Sequence, residues 1–449
     1  MKKPKYEELA QSLLRKINRG LYTSGKLPAM SAIAREYGVN LQTANRAVKF
    51  LEQRGIVNCY AGKRGTVIDP ARASLSAVRS SGDHSFLVDQ VFGSTQRKKI
   101  RFLLPYFNEK IQHCFKTCAE LFTRRYPWVE VELIPYDNIR RLENKEINYD
   151  TVLLIGRDVN RFAAKGEFLD LKSYPSLVDL REEEFVPGVW SLGYYQQKLV
   201  AVPFSWCVPL CAARNNSEPF SWQAPEADCR HAGAFNIGFY SLVCLFLGEP
   251  MALENFQDKE KNLKDLLEFL KKISLTPEGE LNFWDNPAEL RNFNSREKHF
   301  LCGYYSNINY FLQNNADFHY LPLPAYPGGK RVMVTEYLAV NAQTQTAPEC
   351  LLWLKFLQSK AGQKEFLSAS FFLPIYREML QQLSPELAVC LETAVQDAVQ
   401  PRLSSAGLYR LYSCVYPLLA RYFTDEITER EIIEDIFELL REEIILDNM

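Results

Sequence analysis

Gln42, Thr43, Asn45, Arg46 and Lys49 fall on one side of a segment with helical spacing, and Lys63 and Arg64 stand on the tip of a short Ala61-Gly62-Lys63-Arg64 turn. Side-chain amides can read adenine edges, and guanidinium and ammonium groups bind guanine or phosphate, so this set is suited to duplex DNA. The charge distribution agrees. Residues 1–69 carry thirteen basic and five acidic side chains, whereas the chain as a whole has a net charge of −1, which confines the positive field to one end. Other chemistry is poorly supplied. His84, His113, His231, His299 and His319 show no metal-ligand spacing, Ser295-Arg296-Glu297-Lys298 reads as an exposed charged helix, and no glycine-rich phosphate loop occurs. Cys114/Cys118 and Cys207/Cys211 are spaced i, i+4, but eleven cysteines in mostly apolar neighbourhoods behave as small core hydrophobes. The expectation is a protein that is not an enzyme, with no metal and no cofactor.

The elements that must hold the cationic set are legible. Tyr6, Leu9, Ala10, Leu13, Leu14 and Ile17 form one stripe of an amphipathic helix ending at Gly20. A second short helix runs from about Ser31 to Glu36 and stops at Gly38, and Asn40 caps a third whose Ala44, Ala47, Val48 and Leu51 face inward. Ile56 to Tyr60 and Gly65 to Ile68 form two short strands around the basic turn. Three helices followed by a hairpin make a winged helix-turn-helix, with the third helix as the reader.

This stretch resembles the GntR family of bacterial regulators. The resemblance rests on Gly25-Lys26-Leu27-Pro28, Ile33-Ala34, Tyr37-Gly38-Val39, Thr43, Arg46-Ala47, Leu51-Glu52, Gly55-Ile56-Val57 and Gly65-Thr66. It departs at Ala29-Met30-Ser31 and Asn40-Leu41, where the family usually carries arginine contacts, which implies a different operator or a lower affinity.

From Asp69 to Lys98 the periodicity is lost and serine is frequent, so residues 70–98 read as a linker between a 1–69 DNA-binding domain and a 99–449 effector domain. About 350 residues, in a chain that is 47% hydrophobic and 13% aromatic, exceed one usual core, so two lobes are expected. Lys99 to Leu104, Val129 to Ile134 and Thr151 to Ile155 read as strands, with a helix over Ile111 to Tyr126. Their order implies a parallel α/β sheet whose ligands sit beyond the strand ends at Pro105-Tyr106-Phe107 and Gly156-Arg157-Asp158.

This region resembles the type 2 periplasmic-binding fold, and within it the extracellular solute-binding proteins of sugar transporters. The matching pieces include Tyr126-Pro127, Tyr149-Asp150-Thr151-Val152, Gly166 to Leu171, Lys198 to Pro203, Tyr320 to Pro324, Leu352 to Leu357 and Leu373-Pro374-Ile375. The resemblance implies a cleft for a small solute of the carbohydrate class. Tyr106, Phe107, Arg157, Asp158, Trp206, Trp284, Tyr304, Tyr305, Glu336 and Tyr337 supply aromatic faces and polar groups for it. Arg214-Asn215-Asn216 and Val334 to Tyr337 depart from the usual pattern, so the identity of the ligand does not carry over.

Residues 1–25 lack the apolar core of a signal peptide, and no stretch of roughly 18 apolar residues occurs, which leads to an expectation of a cytoplasmic protein with no membrane partner. Thr424 to Ile445 reads as an amphipathic helix packed on its own lobe, with a dimer contact as the alternative. The fold class is therefore multidomain α/β, an N-terminal winged helix-turn-helix plus a two-lobed periplasmic-binding-like type 2 domain. The corresponding function is a homodimeric transcriptional regulator whose partners are an operator and a small effector. The alternative is a cytoplasmic solute-binding or scaffold protein whose winged helix makes protein contacts.

Overall fold

The computed structural model describes residues 5–18, 22, 25–53, 56–60, 65–68, 98–105, 109–126, 128–156, 158–174, 182–214, 220–222, 233–249, 257–275, 280–284, 299–312, 317–368 and 372–448. The first unit has three helices, α1 (Lys5–Asn18), α2 (Met30–Glu36) and α3 (Leu41–Gln53), and an antiparallel hairpin of β1 (Val57–Cys59) and β2 (Thr66–Ile68). The apolar stripe of α1 packs with Ile33, Ala44, Ala47, Val48 and Leu51 in one small core. Gly38 has φ +60°, a left-handed conformation that lets the chain turn sharply from α2 into α3. Asn40 then accepts a hydrogen bond through Oδ1 from the Thr43 amide at 2.7 Å, the expected helix cap.

The expected linker lies, except for Lys98, outside the described residues; Lys98 opens β3 (Lys98–Pro105). Next come α4 (Glu109–Arg125), β4 (Val129–Tyr136), β5 (Thr151–Ile155) and α5 (Asp158–Ala164), then β6 (Ala201–Cys207). These strands, with the later β11 (Val334–Val340), form a five-stranded sheet in the order β4-β3-β5-β11-β6. The expectation of a parallel sheet holds for β4, β3 and β5, whereas β11 runs antiparallel to both β5 and β6. The reason is topological: β11 enters from the other lobe, without the helical crossover that makes neighbours parallel. Phe102, Phe115, Phe122 and Trp353 pack under this sheet, with ring centroids 5.1–5.6 Å apart for three of their pairs.

The second lobe is built on β7 (Pro209–Arg214), β8 (Gly233–Asn236), β9 (Phe300–Tyr304) and β10 (Phe318–Pro322), in the order β8-β9-β7-β10. Around it lie α6 (Phe239–Leu247), α7 (Gln257–Ser274) and α8 (Tyr305–Leu312). The apolar run of α6 is buried at every position, which explains a hydrophobic segment too short to span a bilayer. Among the described residues no helix is long and apolar enough to cross a membrane. After β11, α9 (Ala347–Gln358) and α10 (Lys360–Ser368) return to the first lobe, and α11 (Pro385–Gln396) packs on β10. The chain ends in α12 (Ser405–Phe423) and α13 (Glu429–Asn448), which pack on each other in the second core. The C-terminal helix thus begins later than the expected Thr424, because α12 first ends at Phe423 and Thr428 with Glu431 caps the new helix reciprocally. The described cysteines are free; Cys59 and Cys414 are exposed, Cys207 is partly buried and the others are buried.

Candidate functional site

On the outer face of α3, Gln42, Asn45, Arg46 and Lys49 are exposed, and Thr43 is partly buried beside its cap. The opposite face of the same helix is closed, with Ala44, Ala47 and Leu51 fully buried. The helix is therefore held by one side and free on the other, as a major-groove reader must be. Leu41, at its first position, is 50% exposed. Lys63 and Arg64 lie outside the described residues.

The chain crosses between the two large sheets at Val208 and again between Pro322 and Val334. Among the described residues, two cavities lie along this junction. The outer one, of about 460 Å³, opens at the carboxyl ends of β3, β4 and β5, where the strand order places it, and is closed from the second lobe by the start of α12. Asp158, at the first turn of α5 and 2% exposed, reaches across it. Its Oδ1 accepts from the Ser405 amide at 3.0 Å and its Oδ2 from the Ser405 hydroxyl at 2.5 Å. Asp158 thereby caps the positive end of α12 from the opposite lobe. Asn138, Arg140 and Tyr409 also line this cavity, and the Arg140 guanidinium lies 5.6 Å from the centre of the Tyr409 ring. No local signal marked these three, since β4 and α12 are far apart in sequence. Tyr106, Phe107 and Arg157 lie outside the described residues.

The inner cavity, of about 200 Å³, gathers Trp206, Tyr304 and Glu336 of the expected set, together with Ser205, Ser306 and Asn307. The β6–β11 register places Ser205 opposite Glu336, and the Ser205 hydroxyl donates to Glu336 Oε2. Burial pushes the Glu336 carboxyl up to about 7, against the opposing pull of that hydrogen bond. The Tyr304 and Ser241 hydroxyls hydrogen-bond at 2.8 Å, and the Asn307 side-chain amide donates to Asn236 Oδ1 at 2.7 Å. The Ser306 amide donates to the Cys207 sulfur at 3.4 Å. Trp206 lines this cavity but is only 1% exposed, with Nε1 donating to the Pro374 carbonyl at 2.9 Å.

Trp284, Tyr305 and Tyr337 are corrections to the expected ligand set. Trp284 is 3% exposed in the second core, where its Nε1 donates to the Ile237 carbonyl. Tyr305 packs in the first core against Tyr320. Tyr337 is fully buried and donates to the Val189 carbonyl at 2.7 Å. The alternation of β11 explains the last case, because it sends Glu336 and Tyr337 to opposite faces.

A winged helix and a two-lobed α/β domain with a cleft between its lobes define a two-part molecule. Residues 5–68 match the family model described as bacterial regulatory proteins, gntR family. Over most of the remaining chain the fold is that of sugar-binding solute-binding proteins. A maltose-bound MalE3 of T. maritima aligns with TM-score 0.62 and 19% identity, covering 76% of this chain and 99% of that one. The substrate-binding protein Lmo0181 of Listeria monocytogenes, in complex with cycloalternan, aligns with TM-score 0.62 and 12% identity over 77% and 99%. The GacH receptor of Streptomyces glaucescens, solved unliganded and with acarbose, aligns with TM-score 0.62 and 15% identity over 78% and 98%. Comparison with curated proteins gave no match.

Proposed function

We propose that this protein is a homodimeric transcriptional regulator that binds operator DNA through α3 and the wing, and whose binding is modulated by a small carbohydrate held between the lobes of residues 99–449. The observation that carries this reading is the joining, in one chain, of a gntR-type segment at residues 5–68 to a fold shared with sugar-binding receptors. The exposed carboxamides and cations of α3 support DNA as the first partner. The cleft, formed by both lobes, supports a ligand that acts by changing how the lobes meet. A ligand shifts such an equilibrium only by its differential affinity for the two arrangements, and contacts from both lobes provide that difference. The linker over residues 70–98 then carries the change to the pairing of two winged helices and so to the spacing of their recognition helices.

The test is a mobility-shift titration of the full chain on the DNA upstream of its own gene, with and without mono- and oligosaccharides. The expected result is a specific complex whose midpoint moves with one sugar class. A chain that binds no DNA, or whose complex ignores every sugar, overturns the reading.

A further inference from the structure

The inner cavity is chemically one-sided. Among the described residues it is lined by hydroxyls, a thiol, an amide, apolar and aromatic side chains and one carboxyl, Glu336, with no lysine, arginine or histidine. Ser205 occupies Oε2 of that carboxyl, and Glu336 has no other partner among the described residues. A partly buried carboxylate with no counter-ion among the described residues is unfavourable when ionised, and a neutral ligand leaves it so, whereas a ligand that brings a positive charge satisfies it. The volume, about 200 Å³, lies below the roughly 300–1,000 Å³ typical of sites for larger ligands and suits one sugar ring. The lining also spans the junction: Ser205 and Glu336 belong to the first-lobe sheet, while Tyr304, Ser306 and Asn307 belong to β9 and α8 of the second.

Building on the carbohydrate-effector reading, we propose that the inner cavity recognises a single-ring amino sugar, whose ammonium group pairs with Glu336 while its hydroxyls meet Ser306 and Asn307. The ligand then joins the two lobes through one charge and several neutral hydrogen bonds. Selectivity resides in the charge, since a carboxylate placed for an ammonium discriminates strongly against an analogue that lacks it. Because burial holds the Glu336 proton until about pH 7, the amine displaces that proton when it binds from mildly acidic solution.

Calorimetric titration of the full-length chain with glucosamine, glucose and N-acetylglucosamine tests this, the last two lacking the positive charge. Glucosamine is expected to bind at least about tenfold more tightly than either, a difference large enough to reflect a specific charge contact. Its binding on the acidic side of neutrality is expected to release a proton, seen as a heat that varies with the ionisation enthalpy of the buffer. Glu336→Gln is expected to erase the preference. Equal affinity for the three sugars, no proton release, or a preference that survives in Glu336→Gln overturns the proposal. Neutral sugars or longer chains that bind the wild type and Glu336→Gln alike defeat the amine assignment but leave the carbohydrate-effector reading standing, and the absence of binding by any carbohydrate defeats both. Should Glu336→Gln fail to fold, the wild-type selectivity and proton release decide the matter.

Discussion

Glu336 makes stability depend on pH with a definite sign. Its folded carboxyl titrates near 7 rather than at the ordinary 4.5, so the folded state holds the proton more tightly than the unfolded chain. The resulting stability is fully present below pH 4.5 and is lost as pH rises through 7, a change of about 3 kcal/mol. Thermal melts across this range should show that loss in the wild type and a flatter profile in Glu336→Gln; identical profiles would mean that water reaches the carboxyl. Trp206 makes a different residue-scale prediction. Its 1% exposure and its bond to the Pro374 carbonyl make it a packing residue of the cavity wall, so Trp206→Ala should lower ligand-free stability by about 3–5 kcal/mol. Chemical denaturation measures this, and a negligible loss would return Trp206 to the role of a free stacking face. On the DNA side, Arg46→Ala should weaken binding. The double change of Lys63 and Arg64 to Ala should reduce the salt dependence by about one unit per lost phosphate contact, as read from affinities over a salt series.

Asp158 and Ser405 join two elements rather than two residues. The acceptor sits on the first turn of α5 and the donors at the first turn of α12, so a single carboxylate caps a 19-residue helix of the other lobe. Asp158→Ala should loosen the contact between the lobes and enlarge the radius of gyration in X-ray scattering; no change would show that the packed core alone holds the lobes together. This contact also marks the limit of sequence reading. The stripes of α1 and α3, the Asn40 cap and the runs at β3, β4 and β5 were legible because each is fixed by neighbours a few residues away. The antiparallel course of β11, the start of α12 at Ser405 and the meeting of Ser205 with Glu336 depend on partners more than a hundred residues distant. Residue type alone places Trp284, Tyr305 and Tyr337 at the ligand, whereas burial puts all three in the cores and strand alternation turns Tyr337 away from Glu336.

At the scale of the whole molecule, the proposed coupling between the winged-helix unit and the two-lobed unit is reciprocal. If effector binding alters operator affinity, operator binding must alter effector affinity by the same factor, typically about 5–150-fold. Titrating the effector by calorimetry with and without operator DNA measures that factor, and equal affinities would separate the two halves functionally. The placement of the thiols offers a direct way to watch the coupling. Burial raises the pKa of Cys118, Cys244, Cys350 and Cys390 and keeps them from thiolate chemistry, while Cys59 on the hairpin and Cys414 on α12 face outward. Among the described cysteines these two are the accessible handles, one on each half of the chain. A donor and an acceptor dye attached there would turn the natural sequence into a ruler between the winged-helix unit and the two-lobed unit, its length readable as sugars and candidate operator DNA are added in either order.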